Sequence, residues 1–513
     1  MATAEPQSSR WLYGPWTDLL LGCGLLYLGI SIVAAGFGSG FSASLPDTLA
    51  PLIILLVSMP HYGATLVRVY EHREARRRYV IFSVYLTAAL VLLFFYGIFD
   101  AGFASLMATL YLTWSPWHYT GQNYGIGVML LRRRGADPSP LEKRILYAAF
   151  FFSFLLIALV LHSPDSRAVD PGGIRYDQSS VRFRSIGIDA AWLEILVPLV
   201  AALQLVAAVA WGGLALRRSH ARAIAPSAIL LLTQMLWFSA PALARHYGLG
   251  AGSEILDWNS RPEFFVFIAG GHAAQYLWVT SYYARAGQSW HGQPRHFLKV
   301  AAAGCAVWTL PVVLLAPGSF GRVEYGAGLA LLLSSAVNLH HFILDGAVWK
   351  LRSSRVAGIL IRGEHDEASG EPNSGPLRTA VWSAAALGLI CAVWVLVDKN
   401  VLLPRAVEAR DLTGTIRILD RVAWAGVDEA GERDLVARRL ATDGNFSEAA
   451  RQFERSASLR PRPLAYERLI HIYEILDDGE GLRRSQEALA AIRAEEDDQR
   501  GPSPGQTSNR RIY

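Results

Sequence analysis

The chain alternates between long apolar stretches and short clusters of charged residues. A helix needs about 20 predominantly apolar residues to cross the hydrocarbon core of a bilayer. We count eleven stretches that meet this requirement, at residues 15–37, 46–67, 79–99, 103–131, 145–162, 190–216, 224–244, 263–283, 297–316, 325–348 and 377–397. The pattern predicts an all-α protein whose main part, residues 1–397, is a polytopic bundle of transmembrane helices.

Composition and loop charge set the predicted membrane topology. Hydrophobic residues make up 52% of the 513-residue chain, and charged residues make up 18%. Basic residues cluster in every second loop, in VYEHREARRR, LRRRGADPSPLEKR, LRRSHARA, YYARAGQSWHGQPRHFLK and WKLRSSRVAGILIRGE. By the positive-inside rule, these loops and the N-terminus face the cytoplasm of a bacterial-type inner membrane, and the C-terminal part is periplasmic. Because the loops account for the formal net charge of +5, we expect no nucleic-acid partner.

The character of the chain changes after residue 397. Residues 398–495 are polar and keep apolar positions at helical spacing. The segments ARRLATDGNFSEAARQFERSASLRP and PLAYERLIHIYEILDDGEGLRRSQEALAAI resemble tetratricopeptide repeats, whose period is about 34 residues. Stacked repeats of this kind present a protein-binding surface, so we expect a protein partner there. Residues 496–513 are charged and rich in Pro, Gly and Ser, which predicts a disordered tail.

Five histidines lie inside the apolar stretches, on four different predicted spans. They are His61, His118, His272, His340 and His341, and they precede the basic cluster that follows each span by seven to fourteen residues. An ionisable side chain at membrane depth is costly, and it usually faces a protein interior or a functional cavity. Five histidines at comparable depth therefore predict a set of metal ligands.

Polar residues one helical turn away strengthen this prediction. The pairs are His61 with Thr65, His118 with Gln122, His272 with Gln275, and His341 with Asp345. A metal-binding imidazole usually donates its second N–H to such a partner. We predict Asp345 to be a ligand or a catalytic base. Adjacent helical residues point about 100° apart, so His340 and His341 seldom reach one site together. Imidazole with carboxylate suits non-haem iron, and zinc and copper accept imidazole as well.

At these residues a resemblance to a known family emerges. The series PHYGAT, WHYTGQN, GHAAQYLW and LHHFILD, within residues 60–346, resembles the four histidine motifs of the Brp/Blh family of membrane carotenoid cleavage oxygenases. The order is the same, and the segment from His341 to Asp345 fits best. Thr65 stands where that family carries Asp, and Gln122 or Asn123 stands where it carries an acid. The resemblance implies an iron-dependent oxygenase that acts on a lipid or another lipophilic substrate in the bilayer.

Other functions are compatible with the same residues. The histidines and Asp345 could form the proton relay of a transporter or the polar network of a membrane scaffold. Two histidines on facing helices could also ligate haem. A plain structural alternative pairs Asp345 with Lys350 or Arg352 at the membrane interface.

Overall fold

The computed structural model describes residues 10–37, 45–46, 48–71, 77–164, 181–249, 262–287, 290–315, 327–349, 353–364, 375–428 and 430–500. Within these residues the regular elements are helical and no strand is present. The prediction of an all-α fold is therefore confirmed. Lys350, Arg352 and residues 501–513 of the predicted tail lie outside the described residues.

Eleven long helices precede residue 409 in the part of the chain that the structure describes. They are α1 (Leu25–Phe37), α2 (Leu49–Tyr70), α3 (Ile81–Phe99), α4 (Ala101–Arg133), α5 (Pro140–Leu161), α6 (Ala190–Arg218), α7 (Ala221–His246), α8 (Pro262–Arg285), α9 (Gln293–Leu315), α10 (Ala327–Val348) and α11 (Pro376–Glu408). A short helical segment, Pro15–Thr17 continued by Asp18–Gly22, precedes α1, and Ser354–Ala357 continued by Gly358–Arg362 follows α10.

Eight of the described helices are long and apolar enough to cross a membrane, namely α2, α3, α5, α6, α7, α9, α10 and α11. The pair Pro15–Gly22 and Leu25–Val33, bent by 60°, would add a ninth. Helices α4 and α8 occupy two of the eleven predicted positions without meeting the apolar criterion, because they carry many polar residues. A membrane helical bundle is thus plausible, while the count of eleven spans stays a prediction.

Widened π turns precede three prolines in these helices. They cover Ile54–Ser58, Met235–Ser239 and Asp398–Leu402, and each ends two residues before Pro60, Pro241 or Pro404. Proline lacks the N–H that an α-helix requires, and its ring clashes with the carbonyl four residues earlier. A widened turn gives that carbonyl room, so the helix continues through the proline. The first of these turns leads directly to His61.

Two glycines bring the backbones of α2 and α9 into contact. A Cβ at Gly63 would lie 1.8 Å from the carbonyl oxygen of Val300, and one at Gly304 would lie 1.8 Å from that of Met59. No side chain fits at either position. This contact, two residues after His61, fixes α2 against α9 at the depth of the histidine.

The second compact unit comprises, among the described residues, 311–315 and the chain from Val395 onward. Its further helices are α12 (Leu412–Trp424), α13 (Ala430–Thr442), α14 (Phe446–Leu459), α15 (Pro463–Ile475) and α16 (Gly479–Arg500). Each packs on the next around a core that includes Leu419, Phe453 and Leu469. Short helices stacked in sequence order suit a helical repeat, and the assignment to tetratricopeptide repeats stays a prediction. Helix α16 extends to Arg500, so the predicted tail begins as helix.

Candidate metal centre

Four helices each bring one histidine to a common buried place. His61 comes from α2, His118 from α4, His272 from α8 and His341 from α10. His61, His272 and His341 are only 2–3% exposed, and the side chain of His118 is 9% exposed. Residues separated by up to 280 positions in the chain thus meet in one cluster, as the sequence predicted.

The four imidazole rings form a closed cycle. Ring centroids are 4.2 Å apart for His61 and His341, 5.1 Å for His341 and His118, 5.0 Å for His118 and His272, and 5.0 Å for His272 and His61. The centre of such a cycle is roughly 3.4 Å from each centroid. A metal ion bonded to an imidazole nitrogen at about 2.1 Å lies roughly 3.2 Å from the ring centroid. A ring spacing of this size suits a metal ion bound between the imidazoles.

Asp345 adds a carboxylate to the cycle. Its Oδ2 atom is 3.5 Å from Nε2 of His341 and 3.8 Å from Nε2 of His118. Two groups of three potential ligands result, one of His61, His272 and His341, and one of His118, His341 and Asp345. Within each group the ligand atoms lie within 4.8 Å of one another. His341 belongs to both groups, so the whole set is continuous.

Six of the eight ring nitrogens of the cluster lack hydrogen-bond partners. Both nitrogens of His272 and Nε2 of His118 and His341 are buried and make no hydrogen bond. The nitrogens of His61 likewise lack a well-formed bond, with the carbonyl of Ser58 as a weak backbone contact. A buried polar atom without a partner costs about 1–3 kcal/mol, so native proteins rarely keep several together. A cation bound among lone pairs would remove this cost.

Hydrogen bonds from neighbouring helices fix the proton positions around His341. Trp349 donates to the hydroxyl of Tyr276 at 3.0 Å, and that hydroxyl donates to Oδ1 of Asp345 at 2.6 Å. The Thr65 hydroxyl is 2.6 Å from the Tyr276 hydroxyl and 3.1 Å from the same Oδ1, so its single proton is directed at these oxygens. Its oxygen is then free to accept from Nδ1–H of His341 at 3.0 Å. His341 consequently carries its proton on Nδ1 and presents the Nε2 lone pair to the cluster.

His340 does not join the cluster. Its Nε2 atom is 2.9 Å from the hydroxyl of Thr87 and 3.3 Å from that of Tyr70. The angle of about 100° between adjacent helical side chains sends the ring of His340 toward α2 and α3 instead. The prediction of His340 as a metal ligand therefore finds no support in the geometry.

The predicted partners of the histidines were mostly wrong. Only His341 and Asp345 meet within one helix. Thr65 contacts His341 rather than His61, and Gln122 contacts Gln275 rather than His118. Facing helices supply these contacts, and sequence spacing cannot show which helices face each other. Tyr276 was missed, although its position four residues after His272 places it on the same face of α8.

A cavity of about 340 Å³ adjoins the cluster on the side of His118 and Asp345. Aromatic and aliphatic side chains make up most of its wall, among them Trp114, Trp117, Phe342, Trp349, Met129 and Leu360. The segment 354–362 closes one end, where a guanidinium nitrogen of Arg133 donates to the carbonyl of Leu360 at 2.9 Å. This volume and lining are typical of a site for a small apolar ligand.

The ring spacing bears on the haem alternative. Haem ligated by two histidines needs its macrocycle between the two rings. Centroids 4.2–5.1 Å apart leave no room for it between neighbouring rings of the cycle. Neighbouring rings of the cluster therefore cannot ligate haem as an axial pair.

Comparison with known proteins gives no assignment, since no family model, no curated protein and no solved structure matches the chain.

Proposed function

We propose that this protein is an integral membrane oxidoreductase that holds one transition-metal ion, iron in the first place, on its histidine cluster. His61, His118, His272 and His341 are the ligands, and Asp345 acts beside them as a fifth ligand or as a base. The substrate is a lipophilic molecule that occupies the adjoining cavity. The observation that carries the proposal is the closed cycle of four buried imidazoles, six of whose eight ring nitrogens lack a hydrogen-bond partner.

Two side chains prepare the site for its ion. Thr65 accepts the Nδ1 proton of His341, so the ring keeps a lone pair on Nε2. Tyr276 donates to Oδ1 of Asp345 and the Thr65 hydroxyl lies 3.1 Å from it, so the second oxygen is left to face His118 and His341. Partners of this kind orient ligands and raise their basicity. A transition metal, when bound, supplies Lewis-acid or redox chemistry that side chains lack.

The cavity determines what can reach the site. Its tryptophan and aliphatic walls exclude water and accept an apolar molecule beside His118. Oδ2 of Asp345 lines the same space, where it can accept a proton from a bound substrate. The motif resemblance to membrane carotenoid cleavage oxygenases points to the same class of reaction.

Metal content tests this function directly. We expect the purified protein to contain about one transition-metal ion per chain, and His272→Ala to lower the metal affinity at least about 10-fold. His340→Ala is the matched control, because its ring bonds to Thr87 and Tyr70, so metal content should not change. Elemental analysis of all three folded proteins gives the answer. Full metal retention in His272→Ala, or no metal in the wild type supplied with iron, would leave the polar network of a transporter or scaffold as the better reading.

We further propose that the C-terminal helices, α12 to α16, bind a protein partner on the extracytoplasmic side of a bacterial inner membrane. The support is the stacked helical arrangement of this unit, which repeat proteins use as a binding surface, together with the charge bias of the loops.

A further inference from the structure

The amide of Gln122 is held in one orientation by a chain of hydrogen bonds. Gln275 donates from Nε2 to the carbonyl of Gly22 at 3.2 Å, so its Oε1 is the acceptor end. Gln122 donates from Nε2 to that Oε1 at 3.3 Å and to the carbonyl of His272 at 3.2 Å. Carbonyl oxygens only accept, so neither amide can be flipped without losing these bonds.

This orientation leaves the Oε1 atom of Gln122 as a buried acceptor without a partner. Gln122 lines the cavity, one helical turn from His118. The donors that Tyr276 and Trp349 could offer there are already engaged with Asp345 and with each other. Since no donor of the described residues bonds to the Gln122 oxygen, a donor on a molecule inside the cavity would satisfy it.

The cavity wall limits the charge of that molecule. Asp345 is the one carboxylate among the lining residues, and no lysine or arginine lines the cavity in the described part of the chain. A charged ligand would lose its hydration without gaining a partner of opposite charge, apart from a cation at Asp345. The wall therefore selects an uncharged molecule with a mostly apolar body.

Two glycines form the mouth of the cavity. Gly121 on α4 and Gly346 on α10 both line it and are both solvent-exposed in the isolated chain. A Cβ at either position would meet no atom within 4 Å. The gap between α4 and α10 at these glycines connects the cavity to the outer surface of the bundle.

We propose that this cavity binds an uncharged lipophilic alcohol, whose hydroxyl donates to Oε1 of Gln122 and which enters between Gly121 and Gly346. Gln122 is then a positioning residue that sets the hydroxyl relative to His118. The alcohol is the substrate class of the metal centre, and in that respect the inference rests on the proposed function.

A matched pair of ligands tests the hydroxyl. A bromine-labelled alkyl alcohol and its methyl ether share one apolar body, but only the alcohol can donate. Bromine quenches the three tryptophans of the cavity wall, Trp114, Trp117 and Trp349, so binding is read from their fluorescence. We expect the wild type to bind the alcohol about 3- to 10-fold more tightly than the ether, the effect of one hydrogen bond of roughly 1 kcal/mol.

Paired variants separate recognition from folding. Gln122→Leu should bind both ligands with equal affinity, whereas Gln204→Leu, a buried glutamine on α6 that bonds to Ala149 outside the cavity, should keep the preference. Gly346→Leu should fill the mouth and lose both ligands. Gly213→Leu, at an equally open and exposed helical glycine of α6, should bind both as the wild type does.

The measurements are made on protein stripped of metal by a chelator, so they do not depend on turnover. Equal affinity of the wild type for alcohol and ether overturns the role of Gln122, because water would then satisfy the oxygen. Unchanged binding in Gly346→Leu overturns the cavity as the binding site. If the protein binds the alcohol more tightly than the ether but binds no metal, only the proposed function is rejected. If it binds metal but binds the alcohol and the ether equally, only the present inference is rejected.

Discussion

Two buried polar clusters of this protein, one in each unit, differ in how their hydrogen bonds are completed. In the C-terminal unit, Arg433 is 1% exposed and donates to both carboxylate oxygens of Asp428, at 2.8 and 3.3 Å, and to Gln452 at 2.9 Å. Arg455 donates to the same carboxylate at 2.7 Å. In the N-terminal unit, the four imidazoles of the histidine cluster meet at comparable burial and leave six of their eight ring nitrogens without a hydrogen-bond partner.

The difference separates a structural network from a binding site. Charges and donors around Arg433 complete one another, so the cluster needs nothing further to be stable. The histidine cluster is incomplete by itself, and its missing partner must be a group that accepts several lone pairs at once. A transition metal is such a group.

The largest expected effect is on the completed cluster. Asp428→Ala removes the buried carboxylate that binds Arg433 and leaves it the more exposed Asp420, 2.8 Å away. It should lower the free energy of unfolding of the C-terminal unit by about 1–3 kcal/mol, the cost of buried donors that lose their acceptor. Hydrogen exchange of the backbone amides in α13 and α14 of the full chain measures this change. Arg455→Ala removes a more exposed partner of the same carboxylate, so its cost should stay below about 1 kcal/mol. If both variants lowered the free energy of unfolding equally, the buried pair of Arg433 and Asp428 would contribute no more to stability than the exposed Arg455.

A smaller effect is expected at the incomplete cluster. In metal-depleted protein, His61→Leu replaces unpartnered polar atoms by apolar ones and should change the free energy of unfolding by less than about 1 kcal/mol, with stabilisation as the expected sign. Thermal unfolding in detergent with and without added iron measures it. Addition of iron should stabilise the wild type and leave His61→Leu unchanged. A loss of several kcal/mol in the metal-depleted variant would show that the histidines form a satisfied network, as around Arg433.

The smallest effect concerns His162, which directly follows the last residue of α5, Leu161, and has partners for both ring nitrogens. The Nδ1 atom of His162 accepts from the backbone N–H of Ile186 at 3.3 Å, and Nε2 lies 3.0 Å from the hydroxyl of Thr113. Burial lowers the pKa of His162 below its usual 6.5. The unfolded chain therefore binds more protons, so the contribution of His162 is present above about pH 6.5 and lost as the pH falls below that value.

Hydrogen exchange of the Ile186 amide checks this dependence. Its protection, corrected for the intrinsic exchange rate, should fall by the equivalent of about 1 kcal/mol when the pH drops from about 7.5 to about 5.5. His162→Gln keeps an acceptor that does not titrate, so protection should then be independent of pH. Persistence of the dependence in His162→Gln would assign it to another group.

Chemistry that is rare in membranes could be predicted from the sequence, and the pairing between helices could not. Histidine at membrane depth is costly wherever its helix lies, so His61, His118, His272 and His341 stood out without knowledge of the fold. His341 and Asp345 are four residues apart, which is about one helical turn, so their contact could be predicted from the sequence. The hydrogen-bond partners of Thr65 and Gln122 lie on other helices. These contacts depend on how each helix is rotated against its neighbours, which the sequence does not show.

The same limit applied to the count of spans. Helices α4 and α8 bring polar residues to the cluster, and those residues lower the apolar character by which a span is recognised. The backbone contact at Gly63 and Gly304 could not be predicted either, because a glycine in an apolar stretch does not indicate which helix it packs against.

The π turn before Pro60 has a consequence for the geometry of α2. One extra residue in a helical turn advances the direction of all following side chains by about 100°. The side of α2 on which Leu52 is exposed, before the π turn, and the side that carries His61, after it, are thus shifted against a regular helix by roughly a quarter of a circle. A helical wheel drawn with a single period through Leu49–Tyr70 would therefore assign one half of the helix to the wrong side. The π turn lets the residues before it and the residues after it face different neighbours.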